Sequence, residues 1–249
     1  MRNHTLPFLS LLAVLLFVAC GDRGYTGGNT PATLTDATSS GKAARVYADS
    51  DSSLTTASED EVNALFASLQ SGEIVTLEPK RYYLDAPIEL DGVDDFVLDG
   101  NGAVLILRNK DEDVLRVSSS TNVILKNFKA THVEPEGPLG CRGSVINVFY
   151  SSDIMVENCR LNGSGLIGIA AFNVKNLRAT HNYIYNNSQY GILFDTDTSI
   201  DLSYNRFEDN GASGTMHLAK ALDPGLTEID QITKDQVAEG LKMSRNRFN

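Results

Sequence analysis

The chain has no tryptophan, and it has only three cysteines and seven prolines among its 249 residues. Three cysteines are too few for a scaffold held together by disulfides. Basic residues are also scarce, because 21 lysines and arginines stand against 32 acidic residues and leave a net charge of −11. The sequence shows no cluster of basic side chains of the kind that contacts phosphates, so no nucleic acid partner is expected.

Long apolar runs are absent except for Leu6–Ala19, which follows Arg2. A run of about 14 residues is shorter than the ~20 that span a bilayer, so it predicts the hydrophobic part of a secretory signal rather than a transmembrane helix. The residues Phe17-Val18-Ala19-Cys20 resemble the lipobox of bacterial lipoproteins. That resemblance implies cleavage before Cys20, lipidation of its thiol and anchoring at the bacterial cell envelope, in the outer membrane or on the periplasmic face. An ordinary signal peptide is the alternative.

The sequence divides into a signal peptide (1–19), a flexible tether (20–57) and a folded domain (58–249). The tether is rich in small and polar residues and shows no apolar periodicity, so it cannot bury enough surface to fold. The folded part starts with Ser58 and Glu61, spaced as in a capping box, and Gly72 provides a stop. The pattern predicts a helix over 58–71 with four apolar positions: Val62, Leu65, Phe66 and Leu69.

An internal repeat dominates the rest of the chain. Each copy has two apolar residues separated by one position, then an asparagine, then a further apolar residue, as in Val123, Leu125, Asn127 and Ala130. The second apolar residues of the copies are Leu77, Leu98, Leu125, Val156, Ala179, Leu202 and Met243. Most of their separations lie near 23 residues, and the longer ones indicate insertions. Asparagine suits the bend because it tolerates left-handed backbone and can bond the next asparagine.

A second alternating apolar pair precedes the first at a fixed offset of eight residues, as Ile146 and Val148 precede Ile154. Three strand-like pieces per repeat predict one coil of a solenoid. The predicted fold is therefore all-β, a right-handed three-sheet parallel β-helix with the N-terminal helix covering its first coil. A leucine-rich repeat has a similar period, but the leucine and asparagine consensus of that fold is missing.

Several phrases resemble proteins of the pectate-lyase-like superfamily of right-handed parallel β-helices. They are Asn122-Val-Ile-Leu-Lys-Asn127, Asp153-Ile-Met-Val-Glu-Asn158, Tyr190-Gly-Ile-Leu-Phe194 and Ser199-Ile-Asp-Leu-Ser-Tyr-Asn205. The resemblance covers about 60–249 and implies that a site would lie on the sheet formed by the earlier pair of each repeat. It does not define an activity, because one fold hosts many chemistries.

The outward positions of that sheet are predicted to be Glu89, Arg116, Asn147, Ala170, Leu193 and His217. Two insertions, before Ile146 and after Leu218, are expected to flank it, since long loops on a solenoid carry function. Proposed catalytic residues in this cleft are Arg142, His217, His132 and Lys220. Proposed substrate-binding residues are Arg116, Asn147, Glu134 and Glu136. An ion pair between Glu89 and Arg116, and loops that only shield strand edges, are the structural alternatives.

The residue types favour lyase or epimerase chemistry over hydrolysis. A hydrolase needs two well-mounted carboxylates, whereas Glu134 and Glu136 lie on a loop rich in proline and glycine. A lyase or epimerase needs a base and a cation that neutralises a carboxylate, which arginine, lysine and histidine can provide. Asp195 and Asp197 form a candidate calcium pair, although turn solvation explains them as well.

Two functions remain open at this point. The first is a monomeric, membrane-anchored lipoprotein that binds an extracellular or cell-envelope polysaccharide and processes it. The second is a non-catalytic β-helix scaffold or adhesin at the cell surface. Elsewhere, His181 is expected to be a structural residue in a bend, and Cys159 is expected to be buried and not paired with Cys141.

Overall fold

The computed structural model describes residues 53–133, 142–162, 166–195, 197–210, 216–219, 227–229 and 240–248, with only the backbone of 216–219 and 227–229. These residues form one helix, α1 (Glu59–Phe66), and strands numbered here in chain order. The predicted signal peptide, Cys20 and all but the end of the predicted tether lie outside them, so those predictions stay as expectations.

The strands form three sheets. Sheet I contains β1 (Ile74–Thr76), β4 (Asp94–Asp99), β7 (Thr121–Lys126), β10 (Ser152–Glu157), β13 (Leu177–Thr180), β16 (Ile200–Ser203) and β20 (Leu241–Ser244). Sheet II contains β2 (Arg81–Leu84), β5 (Val104–Leu107), β8 (Lys129–His132), β11 (Arg160–Asn162), β14 (Tyr183–Tyr185), β17 (Arg206–Glu208) and β21 (Arg247–Phe248). Sheet III contains β3 (Ile88–Asp91), β6 (Leu115–Ser118), β9 (Ile146–Phe149), β12 (Ile167–Phe172), β15 (Tyr190–Asp195), β18 (Met216–Ala219) and β19 (Thr227–Ile229).

The chain visits sheets I, II and III in turn, and each strand pairs in parallel with the equivalent strand of the next coil. Among the described strands, the one antiparallel pair is β18 with β19. This winding is a three-sheet parallel β-helix, and the predicted fold class is confirmed.

Alternation of side chains along each strand builds the core. On sheet III the inward row runs through Ile88, Leu115, Ile146, Ile169 and Ile192, which are register partners. Each is at most 1% exposed. Because successive coils repeat the same inward positions, apolar side chains stack on one another along the axis and exclude water from it. The eight-residue offset read from the sequence therefore marks adjacent sheets of one coil.

The asparagines of the repeat occupy two different positions in the bend between sheets I and II. Asn127 and Asn158 have left-handed backbone and lie on the outside, and Asn158 donates its Nδ2 to Oδ1 of Asn127 at 2.7 Å. Asn182, Asn205 and Asn246 lie one residue later, where Asn182 and Asn205 are buried. The predicted bonding between asparagines of adjacent coils is confirmed, but the single asparagine position read from the sequence is really two.

His181 occupies the outer, left-handed position with φ 56°. Its ring stacks on Tyr204 of the next coil, with centroids 4.9 Å apart. The structural role predicted for His181 is confirmed. Cys159 follows Asn158 into the interior, where burial raises the pKa of its free thiol to about 12. Cys141 lies outside the described residues.

Helix α1 begins as predicted and ends early. The side chain of Ser58 accepts a hydrogen bond from the Glu61 N–H at 3.2 Å. The helix ends at Phe66 rather than at residue 71, because the following segment already joins sheet I: the N–H of Gly72 donates to the Asp94 carbonyl at 2.8 Å. Within the part of the chain that the structure describes, no helix has the length and apolar character needed to cross a membrane.

Helix α1 packs at the N-terminal end of sheet II. Val62 is buried, and the ring of Phe66 meets Tyr82 of β2 edge to face at 6.3 Å. Lys80 adds an ion pair to Glu61 at 2.9 Å. The helix thus covers apolar surface of the first coil, on which no earlier coil stacks among the described residues.

Candidate functional site

The outward row of sheet III has the register read from the sequence. Glu89 pairs with Arg116, and Arg116 pairs with Asn147. Asn147 pairs in turn with Ala170, which pairs with Leu193, and Leu193 pairs with His217. The row therefore has a polar half on the early coils and an apolar stretch at Ala170 and Leu193.

Arg116 is the centre of the polar half. It donates from one terminal nitrogen to Glu89 Oε1 at 2.7 Å and from Nε to Asp113 Oδ2 at 3.1 Å. Asp113 also accepts from Asn147 Nδ2 at 3.0 Å and from the Ser144 N–H at 2.8 Å. Burial on its own would lower the pKa of Arg116, but Asp113 and Glu89 outweigh it and raise that pKa. The ion pair that the sequence offered as an alternative is present, and it extends into a network.

This network limits the chemistry of the predicted binding residues. The charge of Arg116 is balanced by two carboxylates, so it is a weak attractor for a further anion. Asn147 uses its amide nitrogen on Asp113, while its buried Oδ1 accepts no hydrogen bond from the described residues. The polar half is therefore a self-contained network and does not present an unbalanced positive charge.

Three aromatic residues lie beside this network: Phe149, Tyr150 and Phe172. Phe149 and Phe172 are register partners on adjacent strands and both face outward. Tyr150 packs edge to face on Phe149 at 6.1 Å and keeps 69% of its surface exposed. Its backbone has φ 50°, so the turn is what holds this side chain away from the sheet.

A shallow concavity of about 280 Å³ adjoins Tyr150, where sheet III turns into sheet I. It is lined by Ser119, Ser120, Thr121, Tyr150, Ser151, Ser152, Asn173 and Lys175. Hydroxyl and amide groups thus surround one exposed aromatic ring. Rings of this kind with polar groups at their margins are suited to a ligand that has both apolar and hydroxylated faces.

His132 does not reach the cleft predicted for it. It lies on β8 of sheet II with its side chain inward and 2% exposed, and its Nε2 bonds the Glu112 carbonyl at 2.7 Å. Burial lowers the pKa of this imidazole. The sequence placed His132 in an insertion, whereas the strand continues through it, and alternation turns its ring into the core.

Arg142 lies where the chain enters β9, with an exposed side chain whose Nε is 3.9 Å from Asp111 Oδ1. The next residue must be glycine, since a Cβ on Gly143 would lie 1.7 Å from the Glu112 carbonyl oxygen. Glu134, Glu136 and Lys220 lie outside the described residues, and of His217 only the backbone is described. Of the predicted catalytic set, the described side chains are therefore those of His132 and Arg142, and they do not share a site.

Asp195 and Asp197, the predicted calcium pair, lie where β15 ends. Both carboxylate oxygens of Asp195 accept the Asn173 N–H at 3.0 Å, and Oδ1 also accepts the Thr198 hydroxyl at 2.6 Å. Asp197 is exposed. The described residues contain no group of three histidine, cysteine or acidic side chains placed to hold a metal. Asp195 therefore fixes a turn, and a calcium ion at this pair stays a prediction.

Sequence reasoning missed Asp113 and Tyr150. Asp113 precedes β6 in a turn, where an acidic residue is unremarkable in a sequence, and only the fold brings it to Ser144 and Asn147. A signal for Tyr150 did exist, because a large aromatic residue follows directly after a predicted strand. It was hidden because the same position holds serine or asparagine in neighbouring coils.

The coil and its three parallel sheets define a parallel β-helix protein. Residues 95–223, just over half of the chain, match the model of the family described as the right-handed β-helix region, and the chain belongs to that family. A comparison with curated proteins finds no match.

Two solved structures are similar at low identity. One is a proposed glycosyl hydrolase from Parabacteroides merdae ATCC 43184, at 12% identity and TM-score 0.48, with 71% of this chain and 81% of that chain covered. The other is the Agl-KA catalytic domain, at 13% identity and TM-score 0.34, with 76% of this chain but 42% of that chain covered. At these values neither similarity supports a conclusion about activity.

Proposed function

We propose that this β-helix protein binds a linear, uncharged polysaccharide along the outer face of sheet III and the adjoining turn into sheet I. The observation that carries the proposal is Tyr150, a largely exposed ring at the margin of a hydroxyl-lined concavity and in contact with Phe149. An aromatic ring can stack on the apolar face of a sugar while neighbouring polar groups bond its hydroxyls.

The charges on this face support an uncharged ligand. The strands of sheet III contain one basic residue, Arg116, against Glu89, Asp91, Asp195 and Glu228. Arg116 is already engaged by two carboxylates. A polyanion would meet a net acidic surface here, whereas a neutral glycan would meet hydrogen-bonding groups that impose no charge requirement.

We propose binding rather than turnover as the activity. Of the four candidate catalytic residues, two have described side chains, and His132 is buried on sheet II while Arg142 lies near Asp111. A proton transfer needs a base within hydrogen-bond reach of the substrate. Neither residue provides such a base on the outer face of sheet III.

We also propose that the protein is held at the cell envelope by a lipid on Cys20. The lipobox resemblance supports this location. A lipid anchor followed by a flexible segment would place the β-helix near polysaccharides of the envelope.

The test is equilibrium binding of the full chain to a panel of soluble linear glucans and xylans. Tyr150→Ala should weaken binding about 5- to 30-fold, which corresponds to the loss of 1–2 kcal/mol. Tyr204→Ala is the matched control, because Tyr204 is an exposed aromatic residue at a bend on another part of the coil. Equal losses in both variants, or no binding by the parent, would favour the scaffold alternative.

A further inference from the structure

The three sheets differ sharply in charge. The described strands of sheet II contain five lysines and arginines and one acidic residue. Those of sheet I contain three basic and six acidic residues, and those of sheet III contain one basic and four acidic residues. In a chain with net charge −11, sheet II is thus a basic face. The parallel winding creates this face, because strands separated by a whole coil become neighbours.

The basic residues form one row. The partners along the first outward position of sheet II are Arg81, Val104, Lys129, Arg160, Tyr183, Arg206 and Arg247. Five of these seven positions are cationic, and adjacent positions are ~4.8 Å apart. Four of the five cations are half-buried, and Arg247 is exposed. Val104 and Tyr183 interrupt the row, so it presents positive charge at five of seven steps along the axis of the β-helix.

Aromatic residues stiffen the middle of the row. Tyr183 and Tyr185 stack on each other with centroids 4.1 Å apart. The guanidinium of Arg206 lies over Tyr183 at 4.8 Å, and that of Arg160 lies over Tyr185 at 5.9 Å. Cations held over ring faces in this way lose little freedom when they bind a ligand, which favours affinity.

The acidic residue of the sheet, Glu208, is part of the same cluster. It accepts from the Tyr183 hydroxyl at 2.5 Å and pairs with Arg206 at 2.5 Å. Burial, followed by the hydrogen bond to Glu208, raises the pKa of Tyr183, so the tyrosine stays protonated and keeps donating. Glu208 therefore reduces the positive charge at one end of the row.

We propose that the outer face of sheet II binds a linear polysaccharide that carries carboxylates, with the polymer lying along the cationic row. Guanidinium groups bind carboxylates through paired hydrogen bonds, which fits the arginines of this row. The step between coils is close to the length of one sugar ring, so successive acidic sugars can meet successive coils. This face is separate from the sheet III site, and the inference stands whether or not that site binds a neutral glycan.

The stacking of Tyr183 on Tyr185 favours an acidic polysaccharide over single-stranded nucleic acid as the ligand of this row. Proteins that bind single strands offer open aromatic faces on which bases stack. Here Tyr183 and Tyr185 cover each other, and arginines lie over both rings. The row therefore offers charge and hydrogen bonds without a platform for bases.

The test measures binding of the full chain to polygalacturonate at low and high salt. Arg160→Glu should weaken binding at least tenfold, and Lys129→Gln about threefold. Arg178→Glu is the matched control, since it reverses an exposed arginine on sheet I and should have less than a twofold effect. Glu208→Gln should strengthen binding, a gain that a purely structural role would not produce.

Circular dichroism and the unfolding midpoint would show whether each variant is folded. If Arg160→Glu unfolds the protein, the other two variants test the proposal: Lys129→Gln should weaken binding of polygalacturonate and Glu208→Gln should strengthen it. The proposal is overturned if Arg160→Glu and Arg178→Glu weaken binding equally, or if the parent does not bind polygalacturonate. Equal or tighter binding of single-stranded DNA or of phosphatidylglycerol vesicles at the same salt would also overturn it. Tyr150→Ala should leave this binding unchanged, which separates the two faces.

Discussion

Asn182 donates its side-chain Nδ2 to Oδ1 of Asn205 at 3.1 Å, inside the bend between sheets I and II. The same Oδ1 accepts the backbone N–H of Asn182 at 3.0 Å. Asn205 in turn donates to the Ala179 carbonyl at 2.7 Å and to Asn246 Oδ1 at 3.1 Å. Each inner asparagine thereby satisfies backbone groups that the bend removes from the sheet ladders.

Asn205→Ala is expected to destabilise the protein by about 1–3 kcal/mol, because it leaves a buried N–H and a buried carbonyl without their partners. Urea unfolding followed by circular dichroism would measure the loss. Asn63→Ala, at an exposed position of α1, is the control and should change the unfolding free energy by less than about 0.5 kcal/mol. Equal midpoints for the two variants would contradict a structural role for the inner asparagines.

Stability should depend on the protonation of His132. Burial lowers the pKa of this imidazole below its ordinary value of 6.5, so the unfolded chain binds the proton more tightly than the folded one. The folded state therefore loses stability as the pH falls through about 6.5 towards the lowered pKa. The free energy of unfolding should be measured from about pH 8 to about pH 5, the range in which histidine titrates. Its slope against pH should be smaller in His132→Leu than in the parent. An unchanged slope would rule out this contribution.

Phe66→Asp should destabilise the first coil. The substitution removes the edge-to-face contact with Tyr82 and places a charge against the apolar surface that α1 covers. We expect a loss of about 2–4 kcal/mol or aggregation through the uncovered coil, seen in the unfolding midpoint and in light scattering. Asn63→Asp adds the same charge on the exposed side of α1, and it should leave both measurements close to those of the parent.

Cys20→Ser should release the protein from membranes, because the lipobox resemblance implies a lipid on this thiol. Metabolic labelling with a fatty acid and fractionation of cells expressing the full chain would test it. Cys141→Ser is the matched control and should leave the label and the membrane fraction intact. A Cys20→Ser variant that still sediments with membranes would show that the anchor lies elsewhere.

The sequence determined the coil. Apolar residues at alternate positions, repeated near 23 residues and offset by eight, predicted three sheets and the outward row from Glu89 to His217, and the pairing of the strands confirms both. This succeeded because alternation and repeat length are local properties that can be counted along the chain.

Prediction from the local sequence is wrong where a shift of one residue in the register decides whether a side chain points inward or outward. The inner and outer asparagines differ by a single position, yet one is buried and the other lies on the surface. The sequence places His132 in an insertion because an insertion begins directly after the strand that contains this residue. The inward direction of its side chain follows from its pairing with Leu107.

What only the tertiary structure decided is which distant residues become neighbours. Asp113 meets Asn147 across 34 positions of sequence, and Arg160 lies beside Tyr183 because a whole coil separates them along the chain. Insertions of variable length between coils hide these relationships from any fixed spacing. The basic row of sheet II is therefore invisible in an acidic sequence. It forms because parallel winding stacks equivalent strand positions and so gathers, on one face, charges that are widely separated along the chain.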